Sequence, residues 1–363
     1  MPSFEPSSEQ KMLIEAASRL AEEVFRPGAA EAESNGTLAP STIEKGWSLG
    51  LLATGLPLEV GGLGERSALS GVLAVEELAR GDLSAALATL APSAFALPIV
   101  MAGTPDQRRK YLPRFAGANW PASTAAVIEP TYNFDFAFPE VRAHREAAEF
   151  VLTGVKGWVP FADRAQDLLV YASEGDRVQA FIVPRSAPGV MVQDREKLMG
   201  LDAIPLYRVT FRDVRLEAAA RLGGEAGIEH EPILAAARVA TSALGLGLAR
   251  AAYEYALRYA QDRRAFGAPI GQKQAVAFML AEMATEIEAI RLLVWEAAWR
   301  IDRGEAAGRA AHLAHLGAAD MAMMVADRAV QVLGGHGYVR DHPVERWLRE
   351  ARSLSSLTGI AMV

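Results

Sequence analysis

Hydrophobic and polar positions alternate with a helical period at both ends of the chain. Between residues 8 and 25 apolar side chains recur every three or four positions, and Pro27-Gly28 is expected to stop this first helix. Similar patterns over 41–51, 69–80 and 84–101 predict further helices. The first hundred or so residues are therefore predicted to form an all-helical unit.

The pattern changes near Trp120, where short runs rich in Val, Phe, Leu, Ile and Tyr begin. Glycine and Asp-Arg turns separate these runs, as in a small sheet or barrel. The predicted strands cover 121–128, 150–154, 168–173, 178–183, 189–193 and 207–215.

Three long helical runs are predicted after the strands, over 231–262, 274–303 and 307–333. The middle run carries a stripe of apolar residues at alternating three- and four-residue steps, which is typical of a helix bundle core: Leu280, Met283, Ile287, Ile290 and Val294. The sequence thus predicts an α+β fold that is mostly α. We expect a helical domain over 1–118, a β domain over 119–222 and a helical bundle over 223–363.

Composition narrows the possible functions. The 363 residues are 51% apolar and 22% charged, which is an ordinary balance for a folded protein. A net charge of -7 argues against a nucleic-acid partner, and the lack of cysteine excludes disulfides and thiolate metal sites. We expect no metal site. No signal peptide is visible in residues 1–23, and Pro and polar residues interrupt the apolar stretch over 85–102. These features predict a cytoplasmic protein without a membrane span.

The segment Arg263-Arg264-Ala265-Phe266-Gly267 stands between two of the long helical runs. A helix end that is capped by Gly267 would explain the glycine but not the other residues. An arginine beside a helix break can offer a planar charged fork to a pyrophosphate, and a phenylalanine ring can pack on a flat heterocycle.

The surrounding sequence resembles the acyl-CoA dehydrogenase family. The stretch from Tyr259 to Gly267, then Pro269-Ile270-Gly271 and Gln274, is similar to the family pattern YA-x-E-R-x-x-F-G-x-x-I…Q. Further similar segments are Gly61-Gly62-Leu63-Gly64, Glu76 to Arg80, Gly103 to Pro113, Gln331 to Tyr338 and Arg349 to Arg352. The resemblance implies an N-terminal helical domain, a middle β domain and a C-terminal four-helix bundle, in a dimer or a dimer of dimers.

The same resemblance implies FAD as cofactor, an acyl-CoA thioester as substrate and an electron-transfer flavoprotein as electron acceptor. In this family one subunit contacts the ADP half of the FAD that its neighbour holds. The residues of this chain that match those contacts are Arg263, Phe266, Gln274, Gln331, Gly334 and Gly335.

The positions of the family's catalytic base do not carry a carboxylate. The usual base is the Glu of a Y-E-G-T segment, and this chain reads Leu357-Thr358-Gly359-Ile360. A second branch of the family places its base on an earlier helix, where this chain has Ala237 followed by Arg238. A threonine hydroxyl or an alanine methyl cannot take the substrate's α proton.

The segments that would surround the chain's own flavin ring also depart from the family pattern. Glu129, Pro130 and Asp135 match T-E-P-x-A-G-S-D, but Tyr132 and Phe134 replace small residues. Trp158 matches the tryptophan of W-I-T, whereas Pro160 lacks the hydroxyl and the N–H of the threonine. Glu129, Asp135 and Trp158 remain candidate contacts to a flavin of its own.

Three hypotheses follow. In the first, the chain is a non-catalytic subunit that lends its ADP contacts to a partner subunit with a normal glutamate. In the second, it is a self-sufficient flavoenzyme whose base has moved, with Glu129 and Asp135 as candidates. In the third, it is a structural or binding module without flavin. The residues that match ADP contacts to a neighbouring subunit are kept, whereas those of the chain's own active site are lost. This contrast favours the first hypothesis, because a chain that changes without selection would lose both kinds of residue.

Overall fold

The N-terminal part of the chain is helical. The computed structural model describes residues 5–363. Seven helices precede the sheet: α1 Ser8–Leu20, α2 Arg26–Asn35, α3 Pro40–Trp47, α4 Leu51–Gly55, α5 Ala68–Gly81, α6 Leu83–Ala102 and α7 Pro105–Tyr111. Capping boxes begin α1 and α7, where Ser7 and Thr104 accept hydrogen bonds from the backbone three residues on.

The predicted helix stop at Pro27-Gly28 is wrong. A π-helical turn over Ala21–Phe25 leads from α1 directly into α2, and Pro27 lies in the first turn of α2. Proline is common in the first turn of a helix, where its fixed φ is already helical. The helix ends instead at Gly36, whose left-handed backbone (φ 64°) suits a C-terminal cap.

A seven-stranded sheet forms the middle of the chain. Its strands are β1 Thr124–Ala126, β2 Arg142–Glu146, β3 Glu149–Pro160, β4 Asp167–Glu174, β5 Arg177–Pro184, β6 Val190–Arg195 and β7 Leu206–Glu217. The order is β1-β4-β2-β3-β7-β6, with β5 paired to β4, and only the β1–β4 and β2–β4 pairs are parallel. The sequence analysis missed β2, because its residues are polar and only Ala143 is buried.

The end of β3 is irregular. The pairing of β3 with β7 shifts register between Lys156 and Val159, and Trp158 between them has φ 51°. A bulge of this kind turns side chains away from the regular alternation of a strand. The strand end that carries Trp158 and Pro160 is therefore shaped locally by this bulge.

The C-terminal part is a bundle of long helices, as predicted. It contains α8 His230–Asp262, a small hairpin of β8 Arg264–Ala265 and β9 Ala268–Pro269, α9 Gln274–Asp302, α10 Gly308–Leu333 and α11 Val344–Ala351. The predicted apolar stripe of α9 is buried at all five positions. One core joins the helices of both ends to one face of the sheet, and a second core lies within the sheet domain.

Two helices, α6 and α8, are long and apolar enough to cross a membrane by length and composition. Both are covered by other parts of the protein: 83% of the apolar window of α6 and 89% of that of α8 are buried. Their apolar surfaces are therefore used for packing within the fold.

Buried ion pairs connect α5 to the bundle. The Glu76 carboxylate accepts from Arg291 of α9 at 2.8 Å and from Arg250 of α8 at 3.3 Å. Arg250 also contacts Glu77. Since Glu76 and Glu77 are both buried, this network fixes the positions of α8 and α9 relative to the N-terminal helices.

The close crossing of α8 and α5 supplies a first prediction. A Cβ added to Gly247 would lie 2.2 Å from the Glu76 carbonyl oxygen and 2.7 Å from Ala79 Cβ. Gly247→Ala should therefore lower the free energy of unfolding by about 2 kcal/mol, because the helices must separate. Gly245→Ala is the matched control, since its nearest neighbour would be 3.4 Å away. Urea unfolding of both variants tests this, and equal stabilities would contradict it.

Candidate functional site

A hairpin follows the end of α8 and presents an aromatic ring to solvent. β8 pairs with β9, and Phe266 and Gly267 form the turn with φ 52° and 80°. The Phe266 side chain is 95% exposed. A phenylalanine with a positive φ and a fully exposed ring has no packing role in the chain itself. Both features fit a residue that contacts something outside the subunit.

Polar side chains near this hairpin are also exposed. Arg263 directly follows α8, Gln274 begins α9 and Gln331 lies in the last turn of α10. Across the described residues 5–363, the three side chains make no ion pair or hydrogen bond with another residue. Their donors are therefore available to a ligand or to a partner subunit.

The loop after α10 offers an open backbone surface. Gly334 has φ 59°, and a Cβ added to Gly334 or Gly335 would meet no atom within 4 Å. By contrast, a Cβ on Gly337 would lie 2.5 Å from the Val330 carbonyl oxygen. The loop thus packs on its own helix through Gly337 and leaves its first two residues accessible to a ligand.

The structure brings the two predicted ADP-binding segments together. Tyr259, four residues before Arg263, forms a hydrogen bond of 3.2 Å with His336, which follows Gly335. The end of α8 and the loop after α10 are therefore neighbours. The donor set at this place, a guanidinium, two amides, an exposed ring and open backbone, fits the pyrophosphate and the flat base of an ADP group.

Thr358, which the sequence places at the usual base position, forms a side-chain hydrogen bond. Thr358 Oγ1 lies 3.1 Å from His315 Nε2 of α10. Ala237, at the alternative base position, is buried in α8. Asp135 and Arg238 lie close enough to interact electrostatically, and Arg238 in turn interacts with His315. Glu231 also interacts electrostatically with Arg238, so the negative charges near this position are those of two exposed carboxylates, Glu231 and Asp135.

Sequence reasoning did not connect His315 with Thr358, because the two residues are 43 positions apart and no motif links them. Burial, together with the charges of Arg238 and His312, lowers the pKa of His315 to about 4. Its imidazole is consequently neutral at pH 7 and a weak proton acceptor. His315 does not replace the missing carboxylate.

The candidate Glu129 has a structural role. Its carboxylate accepts from Lys156 Nζ at 2.8 Å and from the backbone N–H groups of Glu140 and Val141 at 2.6 and 2.9 Å. Lys156 also donates to the Val127 carbonyl oxygen at 2.9 Å, and both charged side chains are buried. A carboxylate with its oxygens engaged in this way is not available to take a substrate proton.

Asp135 and Trp158, the other candidate ring contacts, and the replacements Tyr132 and Pro160 give few donors to a flavin. Pro160 ends β3 and has no N–H, and the side chain of Tyr132 is fully exposed. Asp135 accepts from the Ala137 N–H at 2.9 Å and thereby caps its own turn. The partly buried Trp158 packs against the main core. These residues supply too few hydrogen-bond donors for a flavin ring. The predicted ADP-binding segments, by contrast, supply donors that suit an ADP group.

No three His, Asp or Glu side chains within residues 5–363 are grouped so that they could hold a metal ion.

Two buried carboxylates lie beside the segment that leads to Thr358. Glu350 of α11 and Asp82 at the start of α6 interact with one another and with the buried Arg346. Burial and the negative charge of Asp82 raise the pKa of Glu350 to about 8, against the opposing effect of the Arg346 charge. At neutral pH the Glu350 carboxyl is therefore largely protonated.

This pair predicts a pH-dependent stability. The folded protein holds the Glu350 proton more tightly than the unfolded chain, so stability should fall as pH rises from about 5 towards 8. Glu350→Gln should remove much of this slope and stabilise the protein by on the order of 3 kcal/mol above pH 8. Glu345→Gln, on the same helix but partly exposed, should keep the wild-type slope. Urea unfolding across this pH range tests the prediction, and parallel curves for Glu350→Gln and wild type would contradict it.

Three family models match successive parts of the chain. They are described as the acyl-CoA dehydrogenase N-terminal domain over 7–119, middle domain over 124–214 and C-terminal domain over 230–361. A cyclohex-1-ene-1-carbonyl-CoA dehydrogenase of Syntrophus aciditrophicus is 33% identical over 98% of this chain and 87% of its own length. The chain belongs to the acyl-CoA dehydrogenase family. A short-chain specific acyl-CoA dehydrogenase of Bos taurus is 32% identical over 99% of this chain and 89% of its own length.

Solved structures agree with this assignment. Butyryl-CoA dehydrogenase from Megasphaera elsdenii superposes with a TM-score of 0.88 at 29% identity, covering 97% of this chain and 95% of that one. A chain from a structure of the electron transferring flavoprotein of Acidaminococcus fermentans gives 0.87 at 30% identity, over 98% and 95%. The described residues thus share the acyl-CoA dehydrogenase fold. Family membership supports FAD as the cofactor.

Proposed function

We propose that the chain is a non-catalytic subunit of a heteromeric acyl-CoA dehydrogenase. It lends Arg263, Phe266, Gln274, Gln331 and the loop at Gly334-Gly335 to the FAD of a partner subunit. One contrast carries this proposal. The lending side chains are exposed and without partners among residues 5–363, while Thr358 at the base position is bonded to a buried, neutral His315.

In the mixed assembly each lending residue binds by its own chemistry. The Arg263 guanidinium neutralises the pyrophosphate through paired N–H donors, which a lysine could not supply in the same plane. The Phe266 ring covers the flat base and excludes water from it. The glycines of the loop let backbone N–H groups approach the ligand without a side chain between them.

The chemical step belongs to the partner in this proposal. FAD, when bound to the partner, would supply the acceptor for the β hydride of the acyl-CoA thioester, and a glutamate of the partner subunit would take the α proton. This chain's own active-site region then needs no base, which explains Thr358 and Ala237 together. An electron-transfer flavoprotein is the proposed acceptor, and the unused second site leaves room for a bulky acyl group.

The observed contacts give less support to a self-sufficient enzyme with a relocated base. Glu129 is buried in its ion pair with Lys156, and Asp135 caps a turn. A flavin-free structural module would not need Arg263 and Gln331 to stay exposed and unpaired.

The test is the FAD content of the chain, purified alone and after co-expression with a family member that carries the glutamate. Visible absorbance against protein concentration gives the ratio. We expect the lone chain to retain little flavin, and the mixed assembly to hold stoichiometric flavin and to oxidise acyl-CoA. Replacement of the partner's glutamate should abolish turnover but leave the FAD content unchanged. Stoichiometric flavin together with acyl-CoA turnover by the lone chain would overturn the proposal.

A further inference from the structure

A cluster of aromatic and imidazole rings stands behind the two ADP-binding segments. Tyr255 and Tyr259 are one turn apart on α8 and so lie on the same side of the helix. Tyr255 Oη lies 2.7 Å from His342 Nδ1, and Tyr259 Oη lies 3.2 Å from His336 Nδ1. The Tyr255 ring also packs edge-on against the buried Trp347, with ring centroids 5.8 Å apart.

The rings form a continuous set. The His336 and His342 centroids are 5.6 Å apart, and Tyr259 lies 5.9 Å from His342 and 6.1 Å from His336. Each imidazole is held through Nδ1, whether the phenol donates to this nitrogen or accepts from it. The cluster thus fixes the orientation of both imidazoles from the side of α8.

These two hydrogen bonds span a junction that the backbone leaves open. The loop Gly334–Tyr338 contacts its own helix through Gly337 and Val330. Among the described residues, backbone hydrogen bonds do not join 334–343 to α8, and the side-chain bonds from Tyr255 and Tyr259 make that connection. Arg263 follows Tyr259 by one turn, whereas Gly335 directly precedes His336.

We propose that Tyr255 and Tyr259 are positioning residues that set the separation between Arg263 and the Gly334-Gly335 backbone. This inference rests on the proposed function, in which both segments contact one ADP group. Neither phenol needs to touch the nucleotide. Each acts through a histidine on the loop, and the gain is a loop that is already in place when FAD arrives.

The test is the double variant Tyr255→Phe/Tyr259→Phe, which keeps both rings and removes both hydroxyls. Tyr253→Phe is the matched control, because Tyr253 lies on the same helix and makes no side-chain hydrogen bond within residues 5–363. FAD affinity of the mixed assembly is measured by titration of the apoprotein. Hydrogen exchange of residues 334–343 is measured in the chain alone.

We expect the double variant to bind FAD about tenfold more weakly, since two hydrogen bonds that order the site are lost. Exchange of 334–343 should become faster, while the melting temperature of the lone chain and assembly with the partner stay close to wild type. Unchanged FAD affinity in the double variant would overturn the inference, whether or not exchange changes.

A parallel titration of Arg263→Ala separates this inference from the proposed function. If Arg263→Ala weakens FAD binding and the tyrosine variant does not, only the positioning role fails. If neither variant changes the affinity, the lending role itself fails.

Discussion

Replacing Arg263 by alanine is expected to weaken FAD binding by the mixed assembly by roughly 10- to 100-fold. The guanidinium is exposed in the subunit and makes no ion pair within residues 5–363, so its removal costs the isolated chain little. In the assembly the same change would leave a pyrophosphate charge without its paired donors. The variant should therefore separate stability from cofactor binding.

Two control variants sharpen this measurement. Arg263→Lys keeps the positive charge but loses the planar fork, and it should give an intermediate affinity. Arg212→Ala removes an exposed arginine from β7 in the middle sheet and should bind FAD as the wild type does. Titration of the apo assembly with FAD, with flavin fluorescence as signal, gives the three affinities. Wild-type affinity in Arg263→Ala would contradict the lending role.

Much of the fold could be predicted because it depends on local patterns. The ends of α8, α9 and α10 lie within a residue or so of the predicted runs, since their apolar stripes are long and regular. β2 was missed because it is held by its neighbours in the sheet and not by its own apolar residues. The continuation through Pro27 was missed because the effect of a proline depends on its position in the turn.

The candidate site likewise contains residues that a local pattern predicts and contacts that it does not predict. The lending residues lie in short contiguous segments at helix ends, so a sequence pattern could identify them. The hydrogen-bond partners of the candidate catalytic positions are distant from them in sequence: His315 for Thr358, and Lys156 for Glu129. Single-sequence reasoning has no signal for such tertiary pairs, and it left Glu129 open as a base.

The contacts of Glu129 affect how a Glu129 variant must be interpreted. Loss of activity in a Glu129 variant would ordinarily suggest a catalytic carboxylate. Here the carboxylate is held by Lys156 and by two backbone N–H groups. A variant would therefore lose the structure around residues 127–141 before any chemistry could be judged, and its stability must be measured first.

Glu129→Gln is expected to lower the free energy of unfolding by about 3–5 kcal/mol at neutral pH, because the buried Lys156 side chain loses its counter-charge and must either stay charged without a partner or give up its proton. Burial already lowers the pKa of Lys156 to about 8, and the Glu129 charge opposes that shift. Without this charge the pKa falls further, so Lys156 of the folded variant loses its proton at a lower pH than Lys156 of the folded wild type. The deficit of the variant should therefore shrink as pH rises towards about 8 and stay constant above it, where Lys156 is neutral in both folded proteins.

The Glu129→Gln/Lys156→Met double variant separates a buried ion pair from a general packing defect. It removes both charges, and it should be more stable than Glu129→Gln alone although it carries more changes. Urea unfolding of the wild type, both single variants and the double variant gives the coupling energy. A double variant that is less stable than either single variant would show that packing governs this position. A stable Glu129→Gln that has lost acyl-CoA turnover would instead return Glu129 to the catalytic candidates.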